Sequence, residues 1–535
     1  MADAQAAPSP ATPAGGPPGA AAGGSPEAAA GSLRMRREVL VVLPGLLLAI
    51  MLAMLDQLIV GTALPRIVGS LGGVAHLSWV VTAYVLASTI TTPLYGKLGD
   101  MYGRKKLFMT AIVVFLAGSA LAGLSTSMAE LITFRAVQGL GAGGLMVSAI
   151  AIIGDLVSPR ERGQYMGYIM AVMMLATIGG PLLGGFITDS FSWRWIFYIN
   201  LPIGGAALAY LAATLHLPRR RIEHRVDYPG AVVLAVATTA VVLLTTWGGS
   251  QYRWSSPQIL GLGALAVVAV AVFIAIEARA AEPILPLHLF RNANFSLVSA
   301  LSFLAGLAMF GAITFLPLYQ QTVQGASPTV SGLLLTPMMV GVMVTSLIAG
   351  QVTTRTGRYK VLPILGAAGM TAGMYLLSLL GVHTSRVTSG LFMVVLGLGM
   401  GFLMQLTSLL AQNSVEPRDI GVASSSRLFF QQVGGSIGVS AFGAIFARRL
   451  AGALTSVSPG VHLSTSGGQF NPATVRALPA AVRGDVFYAI AHAVQGVFLW
   501  AVPACALAFA VSWFIREVPL RGRAPAEAPA PELVG

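Results

Sequence analysis

Residues 53–65 read AMLDQLIVGTALP and set a carboxylate, Asp56, inside an apolar run that starts near Val39. An ionised side chain at the centre of a membrane-spanning helix costs on the order of 2.5–3.5 kcal/mol on insertion scales, so an acid kept there marks a function. A second apolar run, 130–155, carries Arg135. With the first run heading outward and the fourth inward, Asp56 lies about seven residues and Arg135 about five residues from the outer ends of their helices. At 1.5 Å per residue both sit roughly 8–10 Å below the outer surface, and equal depth predicts contact. Burial favours the neutral acid and a neighbouring guanidinium favours the carboxylate, so the proton affinity of such a pair changes with hydration and separation. This chemistry suits loading a proton on one side of a membrane and releasing it on the other, with a cationic substrate competing for the deprotonated form. The other reading is a static tie between two helices. Buried ion pairs are weak sources of stability and often replaceable by apolar residues, which favours coupling over scaffold.

The elements that must hold these groups are helices in a bilayer. The 535-residue chain is 55% hydrophobic and 10% charged, with mean hydropathy +0.78, outside the range of soluble globular domains. Stretches of about 20 apolar residues, each enough to cross about 30 Å of hydrocarbon, recur between short polar loops. Fourteen spans are expected: 39–63, 77–96, 107–125, 130–155, 163–188, 195–216, 227–247, 257–277, 294–319, 329–351, 361–381, 387–411, 421–447 and 486–515. Residues 1–38 and 516–535 read as disordered cytoplasmic tails, since Ala, Pro, Gly and Ser supply too little apolar surface to offset ordering. The stretch RMRREVLVVLPGLLL has the basic start of a signal peptide, but its long apolar run and missing cleavage site make it a retained first helix. The single cysteine, Cys505, permits no intrachain disulfide.

The net charge of +13 is distributed as a topology signal rather than a nucleic-acid surface. Outer segments hold Arg66, Arg194, Arg253, Arg386, Arg448, Arg449, Arg476 and Arg483, and Arg135 and Arg427 fall within spans. The remaining 22 of the 32 basic residues lie on inner segments. This asymmetry predicts a multi-pass protein of the cell membrane with both termini cytoplasmic; attraction of the inner loops to anionic lipid is secondary.

An internal repeat organises the spans. YGKLGDMYGRKK at 95–106 resembles AGQVTTRTGRYK at 349–360, aligning Gly96, Gly103, Arg104 and Lys106 with Gly350, Gly357, Arg358 and Lys360 at an offset of 254. The same offset carries Gly180 and Gly184 onto Gly434 and Gly438. Two six-helix bundles, 39–216 and 294–515, are expected about an axis along the membrane normal, with two inserted helices in 217–293 and an outer loop at 448–485. A cavity between such halves is a usual substrate site of secondary transporters.

The set LDQLIVGTALP in span one, GKLGDMYGRKK after span two, RAVQGLGAGG in span four, IGGPLLGGF in span five and SWRWIFYINLPIG entering span six resembles the major facilitator superfamily. More narrowly, it is similar to the fourteen-span drug:proton antiporters of the Emr and Qac type, over roughly residues 39–515. The resemblance implies an all-α integral membrane fold and export of lipophilic, often cationic compounds driven by proton entry. It also implies that the Gly96–Lys105 loop latches the cytoplasmic side and that the GGPLLGG helix is specific to antiporters.

The residues bear on each of these roles. Gly96 and Gly103 permit a tight turn, Asp100 can accept hydrogen bonds from a helix N-terminus, and Arg104 and Lys105 act at least as topology determinants. Gly179, Gly180, Gly184 and Gly185 allow close helix packing, and Pro181 removes a backbone hydrogen bond. In span thirteen the family often carries Arg-Gln before GGSIG, whereas here Gln431 and Gln432 stand there and Arg427 lies one turn earlier on the same face. Gln57, Tyr84, Gln138, Gln320 and Phe430 are further cavity candidates, each equally able to be a packing or interface residue.

The offset of 254 places Phe310 and Ser389 where the first half has Asp56 and Arg135, and Thr354 where it has Asp100. Proton chemistry is therefore expected on one side only, and a single intramembrane carboxylate favours neutral or singly charged lipophiles. A membrane enzyme is disfavoured because no Cys/His ligand cluster, metal site or cofactor motif is visible, and an ATP-driven pump because no Walker A loop is present. The expected partners are protons, a lipophilic small molecule and membrane lipids, around a monomer. Narrow export of an endogenous metabolite and a non-transporting sensor on the same fold are the alternatives.

Overall fold

Helix starts follow short polar residues that satisfy the first free amides. Ser127 accepts from Glu130 N at 3.2 Å, while the Glu130 carboxylate reaches back to Thr126 N at 2.8 Å. Ser256, Ser327 and Ser385 cap in the same way, the first two followed by a proline at the first turn. A computed structural model describes residues 26–71, 77–157, 162–216, 227–248, 251–416, 419–457 and 480–519. Within them the chain is helical, with one isolated bridge between Gly248 and Tyr252.

The first bundle comprises α1 (Pro26–Leu71), α2 (Leu77–Tyr102), α3 (Arg104–Leu124), α4 (Met128–Leu156), α5 (Arg162–Ser190), the short α6 (Trp195–Tyr198) and α7 (Asn200–Thr214). The inserted pair is α8 (Tyr228–Trp247) and α9 (Pro257–Glu277), followed by a 3-10 turn at Leu287–Arg291. The second bundle comprises α10 (Ala293–Thr322), α11 (Pro328–Leu334), α12 (Thr336–Thr356), α13 (Val361–Leu377), α14 (Arg386–Asn413), α15 (Ile420–Val457) and α16 (Ala480–Trp513).

The halves repeat one pattern of neighbours. α1 packs on α5 and α7, α2 on α4, and α3 on α4 and α7; correspondingly α10 packs on α15 and α16, α12 on α14, and α13 on α14 and α16. Glycines allow these approaches: a Cβ on Gly141 would strike the Phe115 backbone, and one on Gly399 the Met370 backbone. In lipid, such close backbone contact replaces the hydrophobic effect as the source of helix association. The bundles meet where α15 crosses α2 and α4 and where α5 lies along α12.

The boundaries differ from expectation in specific places. Helix α1 begins at Pro26, not Val39, because the Ala-rich segment before the span is a good helix former even without a core to pack on. Residues 448–457 continue α15 and 480–485 begin α16, so the expected outer loop is confined to 458–479, outside the described residues. Among the described residues, twelve helical segments are long and apolar enough to cross a membrane, against the fourteen expected. The remaining two expected spans are α13, apolar but 17 residues long, and α2, diluted by Thr82, Thr89, Thr91, Thr92 and its GKLGDMY end. Thr89, Thr91 and Thr92 are accommodated by bonding carbonyls of their own helix, as Thr89 does to Val85 O at 2.8 Å.

Candidate functional site

Asp56 and Arg135 meet. Asp56 is wholly buried and Arg135 is 1% exposed, and Arg135 Nη1 donates to Asp56 Oδ2 at 2.5 Å. The other carboxylate oxygen, Oδ1, accepts from Gln138 Nε2 at 2.8 Å and from Asn200 Nδ2 at 2.8 Å. Every group aimed at Asp56 is a donor, which matches the ionised, acceptor-only form of the acid. Arg135 also donates to Gln138 Oε1 at 2.7 Å and to Val80 O at 3.3 Å. Its guanidinium lies 4.2 Å from the Tyr84 ring centroid and 5.8 Å from that of Phe197.

Four helices thus contribute. α1 brings the acid, α4 brings Arg135 and Gln138 one turn apart on one face, α2 brings Tyr84 and the Val80 carbonyl, and α7 brings Asn200 at its first residue. Tyr84 donates to Ala53 O at 3.3 Å, tying α2 to α1 one turn below Asp56. Asn200 was not foreseen; its amide also donates to Ser119 Oγ at 2.9 Å, and Ser119 in turn donates to Phe197 O. The available signal was an amide inside the apolar segment FYINLPIG.

The turn between α2 and α3 forms a second cluster. Gly103 takes φ +96° with open space around it, so backbone conformation, not room, requires glycine there. Arg104 reaches back to Asp100 at 2.9 Å, to Asp155 at 2.9 Å and to the Ala151 carbonyl. Asp100 Oδ2 accepts the Val422 amide at 3.0 Å, at the N-terminus of α15 across the seam. Gly96 lies against Ser425, and Gly154 lies near Gln412 and Ile420. A cavity of about 10 Å³ lined by Ile150, Ile153, Gly154, Gln405, Ser408, Leu409 and Gln412 interrupts this seam, room for about one water. The two bundles are therefore closed on each other at the basic end. Lys105 takes no part, donating instead to Ala212 O at the end of α7. Asp155, at the foot of α4, is a member that sequence reasoning missed.

The charge-assisted bond from Val422 to Asp100 is worth about 1.5–3 kcal/mol, enough to move an open–closed equilibrium roughly 10–100-fold. Asp100→Ala is expected to open the seam. Because Cys505 is buried, a Ser425→Cys thiol serves as reporter: its maleimide labelling should accelerate several-fold in the Asp100→Ala background, and unchanged labelling would deny the latch.

Helix α5 uses only part of its glycine motif. A Cβ on Gly180 would stand 2.6 Å from Leu58 Cβ and one on Gly179 3.7 Å from Leu55, so these residues set the α1–α5 approach beside Asp56. Gly184 is buried and its carbonyl accepts from Thr188 Oγ1 at 2.6 Å, whereas Gly185 faces open space. The Pro181 side chain lies outside the described residues.

With helices repeated as two bundles and a buried acid–guanidinium pair in the first, comparison with known proteins decides the family. A sequence model of the Major Facilitator Superfamily matches residues 46–439. The chain belongs to this superfamily. It is accordingly a multi-pass membrane transporter and not an enzyme.

Its relatives include an uncharacterized MFS-type transporter of Mycobacterium tuberculosis, 42% identical over 90% of this chain and 70% of that protein. The multidrug transporter protein MdtP of Bacillus subtilis is 40% identical over 77% and 76% of the two chains. Multidrug resistance protein 3 of the same organism is 36% identical over 86% and 91%. Among solved structures, the proton:xylose symporter XylE superposes with TM-score 0.60 at 14% identity, covering 91% of this chain and 98% of that one. At that identity only the fold is shared.

Among the described residues, the candidates in the second bundle form no comparable cluster. Arg427 is 4% exposed and donates to Gln431 Oε1 at 3.0 Å, while its Nε has no partner among the described residues. Gln431 Nε2 contacts Met309 Sδ at 3.9 Å, and the Gln432 Oε1 is buried without a partner among the described residues. Phe430 packs edge-on against Phe290 and Phe429. Gln320 is wholly buried near the outer end of α10, against Met393 Sδ at 3.7 Å, and Gln57 is half-buried beside Asp56. Thr354 bonds its own helix at Gly350 O at 2.7 Å. Glu277, which closes α9, is a second buried carboxylate at 3% exposure.

Proposed function

We propose that the protein is a proton-coupled antiporter that exports lipophilic compounds of low charge across the cell membrane by alternating access. The basic end faces the cytoplasm together with both termini, as the positive-inside bias requires. α2 and α13 complete a fourteen-span topology in which α8 and α9 are the inserted pair. The multidrug names of the two Bacillus subtilis relatives support the substrate reading.

The observation that carries the proposal is the donor cage around Asp56. A proton arriving at Asp56 converts an acceptor-only group into one that must also donate, and so breaks its fit to Arg135, Gln138 or Asn200. Since those donors come from α4 and α7, protonation releases α1 from them, and α1 is held to α5 through Gly180. Rocking of the bundles then exposes the acid to the other side. With the cytoplasmic seam shut by Asp100 and Val422, this conformation is the one that takes protons from outside.

Arg427 narrows the cargo. A buried cation without a carboxylate partner among the described residues repels a second positive centre, so dications are disfavoured and neutral acceptor-bearing or singly charged compounds are preferred. The test is transport by the purified protein in liposomes carrying an imposed pH gradient, against a panel of lipophilic monocations, dications and neutral antibiotics. Gradient-dependent movement of the neutral and monovalent members is expected; no movement of any compound would overturn the proposal.

A further inference from the structure

The inserted helices carry a carboxylate pair that the transport cycle above does not use. Asp227 caps α8, its Oδ1 accepting the Gly230 amide at 2.9 Å. Glu277 ends α9, and its Oε2 accepts the Leu285 amide at 3.2 Å. The second oxygen of each group, Asp227 Oδ2 and Glu277 Oε1, is buried and has no hydrogen-bond partner among the described residues. Both crowd the position a Cβ on Gly230 would occupy, Glu277 Oε1 standing 2.9 Å from it. Glycine at 230 is thus what lets two acceptors share one notch.

Leu285, whose amide Glu277 accepts, belongs to an apolar cluster. Leu234, Phe273, Ile284 and Leu285 form a buried cluster, joined by Leu94 from α2 and Phe429 from α15. Among the described residues, Asp227 and Lys97 are the charged groups that bear on Glu277. Lys97, on α2, is already paired with Glu282 at 2.6 Å. Two ionised carboxylates this close in an apolar setting repel each other and lack hydration, and two facing acceptors are reconciled by a single hydrogen.

We propose that Asp227 and Glu277 form a second proton-binding site, distinct from Asp56, in which one proton is held between Asp227 Oδ2 and Glu277 Oε1 at neutral pH. That proton ties the start of α8 to the end of α9. Its loss as pH rises leaves two like charges in the notch and makes Glu277 a competitor of Glu282 for Lys97. Lys97 follows Gly96 on α2, where Gly96 lies against Ser425 in the seam, so alkalinity at the basic end is transmitted to the closure.

The test uses full-length protein in lipid nanodiscs with the Asp56→Asn substitution, which silences the other acid. Infrared difference spectra between neutral and alkaline pH should show loss of a protonated-carboxyl band. That band should be missing from D56N/E277Q and from D56N/D227N, because the introduced amide donates the hydrogen bond that the proton supplied. The melting temperature of the D56N protein should fall over the same pH rise, while that of both double variants stays level. Should D56N not fold, parent against E277Q gives the same comparison. A band unaffected by both substitutions would overturn the proposal, as would absence of the band with a melting temperature that rises on adding Mg²⁺, which would mark an ionised pair holding a cation.

Discussion

Asp56→Asn is expected to reduce pH-gradient-driven export to the level of protein-free liposomes while leaving a folded protein that still exchanges substrate down its own gradient. Asparagine is nearly isosteric and keeps one acceptor for Arg135, now 2.5 Å from Oδ2. Its amide NH₂ would face the Gln138 and Asn200 donors that now meet Oδ1. Gln138 can turn its amide over only by giving up the Arg135 donor that its Oε1 now accepts, and Asn200 only by losing Ser119 Oγ. The cost is about one hydrogen bond, on the order of 1 kcal/mol, too small to unfold the bundle. What is lost outright is titration, because an amide takes up no proton in this range. The measurement is uptake into liposomes with and without the gradient, together with counterflow at equal pH. Gradient-driven transport equal to that of the parent would remove Asp56 from the coupling step; loss of counterflow as well would make its role one of structure.

The pairing of Asp56 with Arg135 was legible because helix rise is constant: two charges at equal depth on adjacent spans have few other partners. The amides around them were not. Asn200 stands at the break between α6 and α7, where a polar residue reads as a membrane-edge turn. Only the fold of α7 against α1 and α3 brings it 2.8 Å from the acid. Asp155 was hidden similarly, as a carboxylate at the foot of α4 whose Arg104 partner lies across a turn. Glu277 went unrecognised because it ends its span, and the position of a helix end relative to neighbouring loops is not written in hydropathy. The repeat was legible from glycines, of which Gly96, Gly180, Gly434 and Gly438 sit at helix crossings while Gly103 and Gly357 take positive φ in turns, whereas the residues of the second bundle were not sorted. Gln320, Arg427 and Gln432 differ in what they face, and facing depends on rotation of helices whose polar residues are too sparse to fix it.

Arg135→Met is expected to be the most destabilising single change in the first bundle. It leaves Asp56, wholly buried, with two neutral amide donors and no counter-charge, and breaking a buried ion pair from one side costs about 3–5 kcal/mol. Methionine retains much of the volume against Tyr84 and Phe197, so packing is largely preserved and the loss is electrostatic. This separates two explanations that a single variant leaves joined. If charge is the cause, D56N/R135M should regain most of the lost melting temperature, since neither partner is then left charged and the two changes are strongly non-additive. If stacking of the guanidinium on Tyr84, at 4.2 Å from the ring centroid, is what matters, the double variant should be no more stable than R135M. Thermal unfolding of the parent, both single variants and the double variant in one detergent completes the cycle. A coupling near zero would mean that the pair does not hold α1 to α4, and the release of α1 on protonation would then need another cause.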